Sequence, residues 1–196
     1  CLVGEVGEKC NAAAISTLLE KKVRSLGDAA DTTSLVTGLL LLLPGAWITL
    51  VEGSLTSLSD LIRTIDSSNV VGAVKVACCM DDIWPRTFSR WSSKQLDVVR
   101  GNYMDLDGAV PSPLLSDLTI GMLKLGKALD SLSKDEASAA LDSWDQRFAD
   151  SMPSNERVAQ AVDLVDVPTL SDFIAVYEKP SEFTLISDKV WPPNKP

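Results

Sequence analysis

Aspartate pairs are the side chains of this sequence whose spacing comes nearest to a metal site. The stretch DLDG at 105–108 resembles part of a calcium-binding loop, but the additional oxygen ligands and the distal glutamate of such a loop are missing. Asp81 and Asp82 could also hold a cation, although aspartates directly before Trp84-Pro85 are more typical of a helix cap. We therefore predict no metal site and assign these carboxylates to helix ends.

Histidine is absent from all 196 residues. Its absence removes the commonest metal ligand and excludes catalysis of the Ser-His and Cys-His types. The GxGxxG and P-loop motifs, which bind nucleotide phosphates, are absent from the sequence as well. We predict that the protein is not an enzyme and that it uses no cofactor.

The four cysteines allow two interpretations. Cys78 and Cys79 are adjacent, and adjacent residues of a helix point about 100° apart, so they cannot both face one partner. One or both can be small buried hydrophobic residues. Alternatively, in an oxidising compartment, Cys1 or Cys10 could form a disulfide with Cys78 or Cys79.

The charge balance restricts the class of partner. The chain has 18 lysines and arginines against 27 aspartates and glutamates, a net charge of −9. Nucleic acid is excluded as a partner because phosphate backbones are bound by clustered basic residues. A basic protein surface, in contrast, would be attracted to this chain.

Apolar residues at helical spacing predict the elements that must position these groups. Seams of apolar residues three and four positions apart run through 11–26, 46–66 and 115–132. We also predict a helix from Trp84 to Val110, and another that starts at the capping box SKDE, 133–136.

The helix pattern predicts an all-α fold, an up-down helical bundle resembling a four-helix bundle. We expect it to carry extra N-terminal helices and an irregular, proline-containing C-terminal tail. The expected organisation has three parts: residues 1–31 with one helix, a bundle core at 32–152, and short helices with an extended tail at 153–196.

The uncharged stretch TTSLVTGLLLLLPGAWITLV, residues 32–51, is long enough to span a bilayer. Pro44-Gly45 divides it, its flanks are acidic, and its second half belongs to the seam of 46–66. Leu39 to Leu43 would then end one helix and would have to be covered on all sides, inside the bundle or by a partner. A membrane span over 32–51 remains the alternative.

The segment from Trp84 to Met152 resembles the PsbQ family, the helical extrinsic subunits of photosystem II. The matching stretches are WP at 84–85, RGNYMDLD at 100–107, LGKALDSL at 125–132 and EASAALDSW at 136–144. The resemblance implies a peripheral protein of the chloroplast thylakoid lumen that binds photosystem II core or other extrinsic subunits. It would stabilise the lumenal side of photosystem II and its oxygen-evolving centre.

Two other classes of function stay open at this point. The chain could be an accessory subunit of an organelle complex anchored in the thylakoid membrane by one span, or a secreted helical protein that binds lipid or acts as an effector. The residues expected to contact a partner combine three arginines, which would lie within about 80° of one another on a helix, with exposed apolar groups. They are Trp84, Arg86, Arg90, Arg100, Leu41, Leu42 and Trp191.

Overall fold

The computed structural model describes residues 1–6, 11–27, 35–83, 85–97 and 111–177. A five-stranded sheet lies between two layers of helices. In chain order the elements are β1 (Leu2–Glu5), α1 (Ala12–Gly27), β2 (Thr37–Leu43), β3 (Ala46–Glu52), α2 (Leu55–Asp66), β4 (Val74–Val76), β5 (Trp91–Gln95), α3 (Pro111–Asp130), α4 (Lys134–Asp142), α5 (Trp144–Arg147), α6 (Asn155–Asp163) and α7 (Leu170–Tyr177).

The strands lie in the order β4-β1-β3-β2-β5. β1 pairs antiparallel with both β3 and β4, and β2 pairs antiparallel with β3. β1, α1 and β2 form one split β-α-β unit, and β3, α2 and β4 form a second, which together give a ferredoxin-like arrangement. β5 adds to the outside of β2 in the parallel direction.

The uncharged stretch forms the central hairpin of the sheet. β2 and β3 pair from Thr37↔Glu52 to Leu43↔Ala46, and Pro44-Gly45 makes the turn with Gly45 at a φ of 83°. All seven residues of β2 are buried. In the part of the chain that the structure describes, no helix has both the length and the apolar character needed to cross a membrane.

Two hydrophobic cores cover the two faces of the sheet. Leu40 and Leu42 pack on the face covered by α1, α2 and Leu170 of α7. Leu39, Leu41 and Leu43 pack on the opposite face, which is covered by α3, α4 and α6. A run of five leucines is therefore required because successive residues of one strand point into different cores.

The predicted all-α up-down bundle is wrong, and the fold is α/β. A strand that is buried on both faces carries no alternation of polar and apolar residues, so LLLLL gave no strand signal. The seam of 46–66 breaks at Gly53: Ile48 and Val51 belong to β3, and only the later members lie on α2. In the described part of 84–110, the expected helix is replaced by a loop and by β5.

Several of the predicted helices are confirmed. Residues 11–26 correspond to α1, which is capped by Asn11 through its side chain and the Ala13 amide. The seam of 115–132 is the buried side of α3. Ser133 and Glu136 form the predicted capping box of α4. The division into three parts stays a prediction.

Candidate functional site

An open groove lies between α2, α7 and a loop formed by residues 79–83 and Arg86, and we call it the α2–α7 groove. Its volume is about 670 Å³. Most of its lining is apolar, and it includes four large side chains that remain substantially exposed. The apolar lining residues are Val51, Leu55, Leu58, Ile62, Met80, Ile83, Phe173, Ile174 and Tyr177.

Helix α2 supplies one wall. The Ser54 side chain caps the helix by accepting a hydrogen bond from the Ser57 amide at 3.2 Å. Leu61 and Ile65 are buried against the sheet and hold the helix in place. Leu55, Leu58 and Ile62, spaced by three and four residues, lie on the side that faces the groove.

Helix α7 supplies the second wall. At the start of the helix the Thr169 hydroxyl and the Thr169 amide both donate to the Asp172 carboxylate, and these two bonds lower the pKa of the Asp172 carboxyl. The Asp172 amide donates back to the Thr169 hydroxyl. The Ser171 hydroxyl donates to Asp66 at the end of α2 over 2.7 Å, which ties the two walls together. Phe173 and Tyr177 stack with their ring centroids 4.3 Å apart.

The loop that forms the third side is anchored by Glu52 at the end of β3. Its carboxylate accepts hydrogen bonds from the backbone amides of Thr87, at 2.9 and 3.0 Å, and Phe88, at 3.1 Å. The Arg86 guanidinium donates to the Leu35 carbonyl at 2.5 Å. These contacts hold the loop on the side away from the groove, and its apolar side chains line the groove.

The exposed rim of the groove is acidic. Asp81 and Asp82 are both exposed between Met80 and Ile83, and Asp82 adopts a φ of 54°, in the left-handed region that aspartate tolerates. Within the described residues, no cationic side chain forms an ion pair with either carboxylate. The two charges are therefore available to a basic group outside the chain.

The Tyr177 hydroxyl donates to the Cys79 sulfur at 3.8 Å, across the mouth of the groove. The hydrogen bond with Cys79 raises the pKa of the Tyr177 phenol above its ordinary value of 10.0. The phenol is thus neutral at physiological pH and presents an apolar ring with one polar tip.

Neither a metal-binding cluster nor a disulfide is present among the described residues. Among the described residues, no three cysteine, aspartate or glutamate side chains gather as a group that could hold a metal ion. Cys1, Cys78 and Cys79 are free thiols in the structure. Cys10 lies outside the described residues, so the predicted pairing with it stays a prediction.

The leucines expected to contact a partner lie in the protein interior. Leu41 and Leu42 are 0% and 3% exposed, on opposite faces of the sheet. The expectation that Leu41 and Leu42 contact a partner is therefore corrected: they pack in the two hydrophobic cores.

Where the structure describes them, the arginines of the predicted stripe do not lie on a helix. Arg86 donates to Leu35, and Arg90 donates to the Leu132 carbonyl at 2.6 Å. Both side chains therefore fasten the chain internally. Trp84, Arg100 and Trp191 lie outside the described residues.

Sequence reasoning missed the groove because its residues come from segments that are remote in sequence. Met80 and Ile83 flank the two aspartates that were interpreted as a helix cap. Leu55 falls within the predicted apolar seam of 46–66, whereas its side chain is 70% exposed, and the Tyr177 side chain is 53% exposed. The available signal was the motif MDDI, in which large apolar residues flank charges with no helical seam around them.

Comparison with known proteins gives structural neighbours and a family. A solved structure of a bacterial light-regulated adenylyl cyclase matches with a TM-score of 0.41 and 15% sequence identity. The match covers 72% of this chain but only 38% of the cyclase chain. No curated protein matches the sequence.

The model of the testis-expressed protein 47 family matches residues 1–179. The α/β fold contradicts the expected helical bundle, and the family match gives no support to the expected photosystem and chloroplast description. The resemblance to the PsbQ family and the role at photosystem II stay predictions. The expected thylakoid-lumen location has no independent test. With residues 1–179 matched, the chain belongs to the testis-expressed protein 47 family.

Proposed function

We propose that the chain is a non-catalytic protein-binding module, and that its α2–α7 groove binds an amphipathic helix of a partner protein. One observation carries the proposal: four large hydrophobic side chains around one groove are exposed. Leu55 is 70% exposed, Met80 47%, Ile83 44% and Tyr177 53%. A concentrated apolar patch of this kind is typical of an interaction surface.

The form of the groove favours a helix over a small molecule. Sites for small ligands are enclosed and bury most of the ligand surface. Here the largest apolar groups lie on the rim, where they would be covered by a partner that itself has a wide apolar face. The walls are two helices, and helices pack against a third through residues spaced by three and four. Met80 adds a side chain that adapts to irregular surfaces.

The rim charges specify a basic partner. Asp81 and Asp82 would meet lysine or arginine residues on the polar side of the bound helix, next to its apolar face. The net charge of −9 attracts basic proteins from a distance. A partner of this chemistry agrees with the sequence-based expectation of a non-catalytic protein that acts through protein contacts. It does not depend on any particular membrane complex.

The proposal can be tested with a displayed library of random peptides of about 16 residues, roughly four helical turns. Selection on the full chain should enrich peptides that carry apolar anchors at helical spacing together with lysine or arginine. Leu55→Glu and Met80→Glu should each weaken binding of the enriched peptides by about tenfold or more. Asp81→Asn combined with Asp82→Asn should weaken binding most at low salt.

Val165 provides a matched control because it is 92% exposed and lies away from the groove. Val165→Glu should leave binding unchanged, with circular dichroism used to show that all variants fold. Enriched peptides without helical periodicity, or with the same affinity for the Leu55→Glu variant, would refute the groove as a helix site.

A further inference from the structure

The edge of β5 opposite β2 carries a row of backbone hydrogen-bonding groups that point away from β2 and pair with no other described strand. The Arg90 carbonyl accepts from the Gly38 amide at 3.1 Å, and the Leu96 amide donates to the Leu42 carbonyl at 2.9 Å. In a parallel pair these bonds alternate, so the even-numbered residues face β2 and Trp91, Ser93 and Gln95 face outward. Among the described residues, none forms a backbone hydrogen bond with these three outward-facing positions.

Helices overhang this edge from both faces of the sheet and form a slot of about 530 Å³, which we call the edge slot. On one side α1 contributes Glu20, Val23 and Arg24, which share one helix face. On the other side α3 and α4 contribute a mostly apolar wall that includes Leu129 and Leu141.

Hydrogen bonds hold the two walls to β5. The Ser93 hydroxyl donates to Glu20 at 2.5 Å on the α1 side. Lys94 forms an ion pair with Asp142 of α4 at 2.5 Å on the other side. Lysine on an edge strand normally discourages pairing with a further strand. Here the charge of Lys94 is engaged along the wall, and no described residue pairs with the backbone edge between the walls.

We propose that an extended segment of a partner protein enters the edge slot and adds to β5 as a sixth strand. Main-chain hydrogen bonds to Trp91, Ser93 and Gln95 would provide the common part of the affinity, as in other cases of strand addition. This site is separate from the α2–α7 groove and does not depend on the function proposed for that groove.

The shape of the slot selects a single strand over a second copy of this chain. A partner strand that belongs to a sheet would bring its own covering helices to the edge. Those helices would collide with α1 on one side and with α4 on the other, because both overhang β5. A peptide in extended conformation is thin enough to pass between the walls.

The two walls predict the side chains of the bound strand. Alternate residues of a strand point to opposite faces. One set would face the apolar wall around Leu129 and Leu141, so it should be apolar. The other set would face α1, where Arg24 is exposed and forms no ion pair with a described residue. That set should include an acidic residue close to Arg24.

The experiment is a displayed library of random peptides of about eight residues, the length of an ordinary strand, selected on the full chain. Enriched peptides should alternate apolar and polar residues. Methylation of backbone nitrogens at every second residue should weaken binding by about tenfold or more in one register and much less in the other. Bound peptide should slow amide hydrogen exchange at Trp91, Ser93 and Gln95 by a similar factor.

Ser138 of α4 lines the slot and is exposed, so it tolerates a large residue without damage to the core. Ser138→Trp should block peptide binding, whereas Ser138→Ala should not. Arg24→Glu should disfavour the peptides that carry the acidic residue. Leu55→Glu, in the separate groove, should have no effect on these peptides, so failure of one site is distinguishable from failure of the other.

Three results would overturn the proposal. The first is that no peptide is enriched, and the second is that the enriched peptides tolerate methylation in both registers. The third is slow exchange of the Trp91, Ser93 and Gln95 amides in the free chain, because another part of the chain would then already occupy the edge.

Discussion

β2 and β5 are neighbours in the same sheet and differ completely in composition. All seven residues of β2 are buried, and its sequence is TGLLLLL. None of the five residues of β5 is fully buried, and its sequence is WSSKQ. The difference follows from position: β2 has strands on both sides and helices on both faces, whereas β5 ends the sheet. Apolar burial is therefore concentrated in the inner strand, whereas the edge strand carries polar residues.

The largest effect is expected from a truncation in the inner strand. Leu41 is 0% exposed and packs into the core beneath α3. Leu41→Ala should lower the free energy of unfolding by about 2–5 kcal/mol, the usual cost of a cavity at a buried leucine. Urea denaturation of the full chain measures this difference.

Ser92 of β5 is the matched control, since it lies opposite Leu39 of β2 and is only partly buried. Ser92→Ala should change the free energy of unfolding by less than about 0.5 kcal/mol. Equal effects at Leu41 and Ser92 would mean that the two strands contribute alike, and the comparison would fail.

The contrast also explains which parts of the fold the sequence could predict. Helices with one apolar side, such as α1 and α3, are visible as seams because only that side is buried. Capping residues such as Ser133 and Glu136 act on their own helix, so a local pattern is sufficient to find them. These are properties of a single segment.

The sheet and the groove depend on contacts between remote segments. β2 is hydrophobic on both faces, which removes the alternation that would indicate a strand. β1 pairs with β3 and β4, which lie more than forty positions away in the chain. Likewise, Met80 and Tyr177 line the same groove although they are remote in sequence. No local pattern encodes such meetings, and the sequence therefore predicted α1, α3 and α4 correctly but assigned helices to the segments of β2, β3 and β5.

A smaller effect is expected where β1 pairs with β3 of the central hairpin. A β-carbon on Gly4 would lie 2.4 Å from the ring of Trp47, which is completely buried. Gly4→Ala should therefore cost about 1–3 kcal/mol through overpacking. In a Trp47→Leu background the space is open, and the same change should cost much less.

Chemical denaturation of the four members of this double-mutant cycle gives the coupling between the two positions. If Gly4→Ala costs the same with Trp47 and with leucine, close packing against the ring is not the reason for glycine. The contrast between the buried inner strands and the edge strand β5 would then depend on the leucines alone.

The smallest effect is expected on the edge side, in the helix that overhangs β5. Hydrogen bonds from the Ser133 side chain and backbone lower the pKa of the Glu136 carboxyl from its ordinary value of 4.5. A lowered pKa in the folded state means that the stabilisation is complete above the unfolded value and is lost as the pH falls through the folded one. The Glu136→Gln variant should therefore be slightly less stable than the parent chain at neutral pH. The gap should close as the pH falls below about 4.5.

Thermal melts across this range measure the gap, with Glu156→Gln in the first turn of α6 as the control for helix-dipole effects. Because the capping box holds the first turn of α4, protection against hydrogen exchange, taken relative to the intrinsic exchange rate at each pH, should fall in α4 before it falls in β2. A gap that stays constant through the acid range would show that the capping bonds to Glu136 do not stabilise this wall.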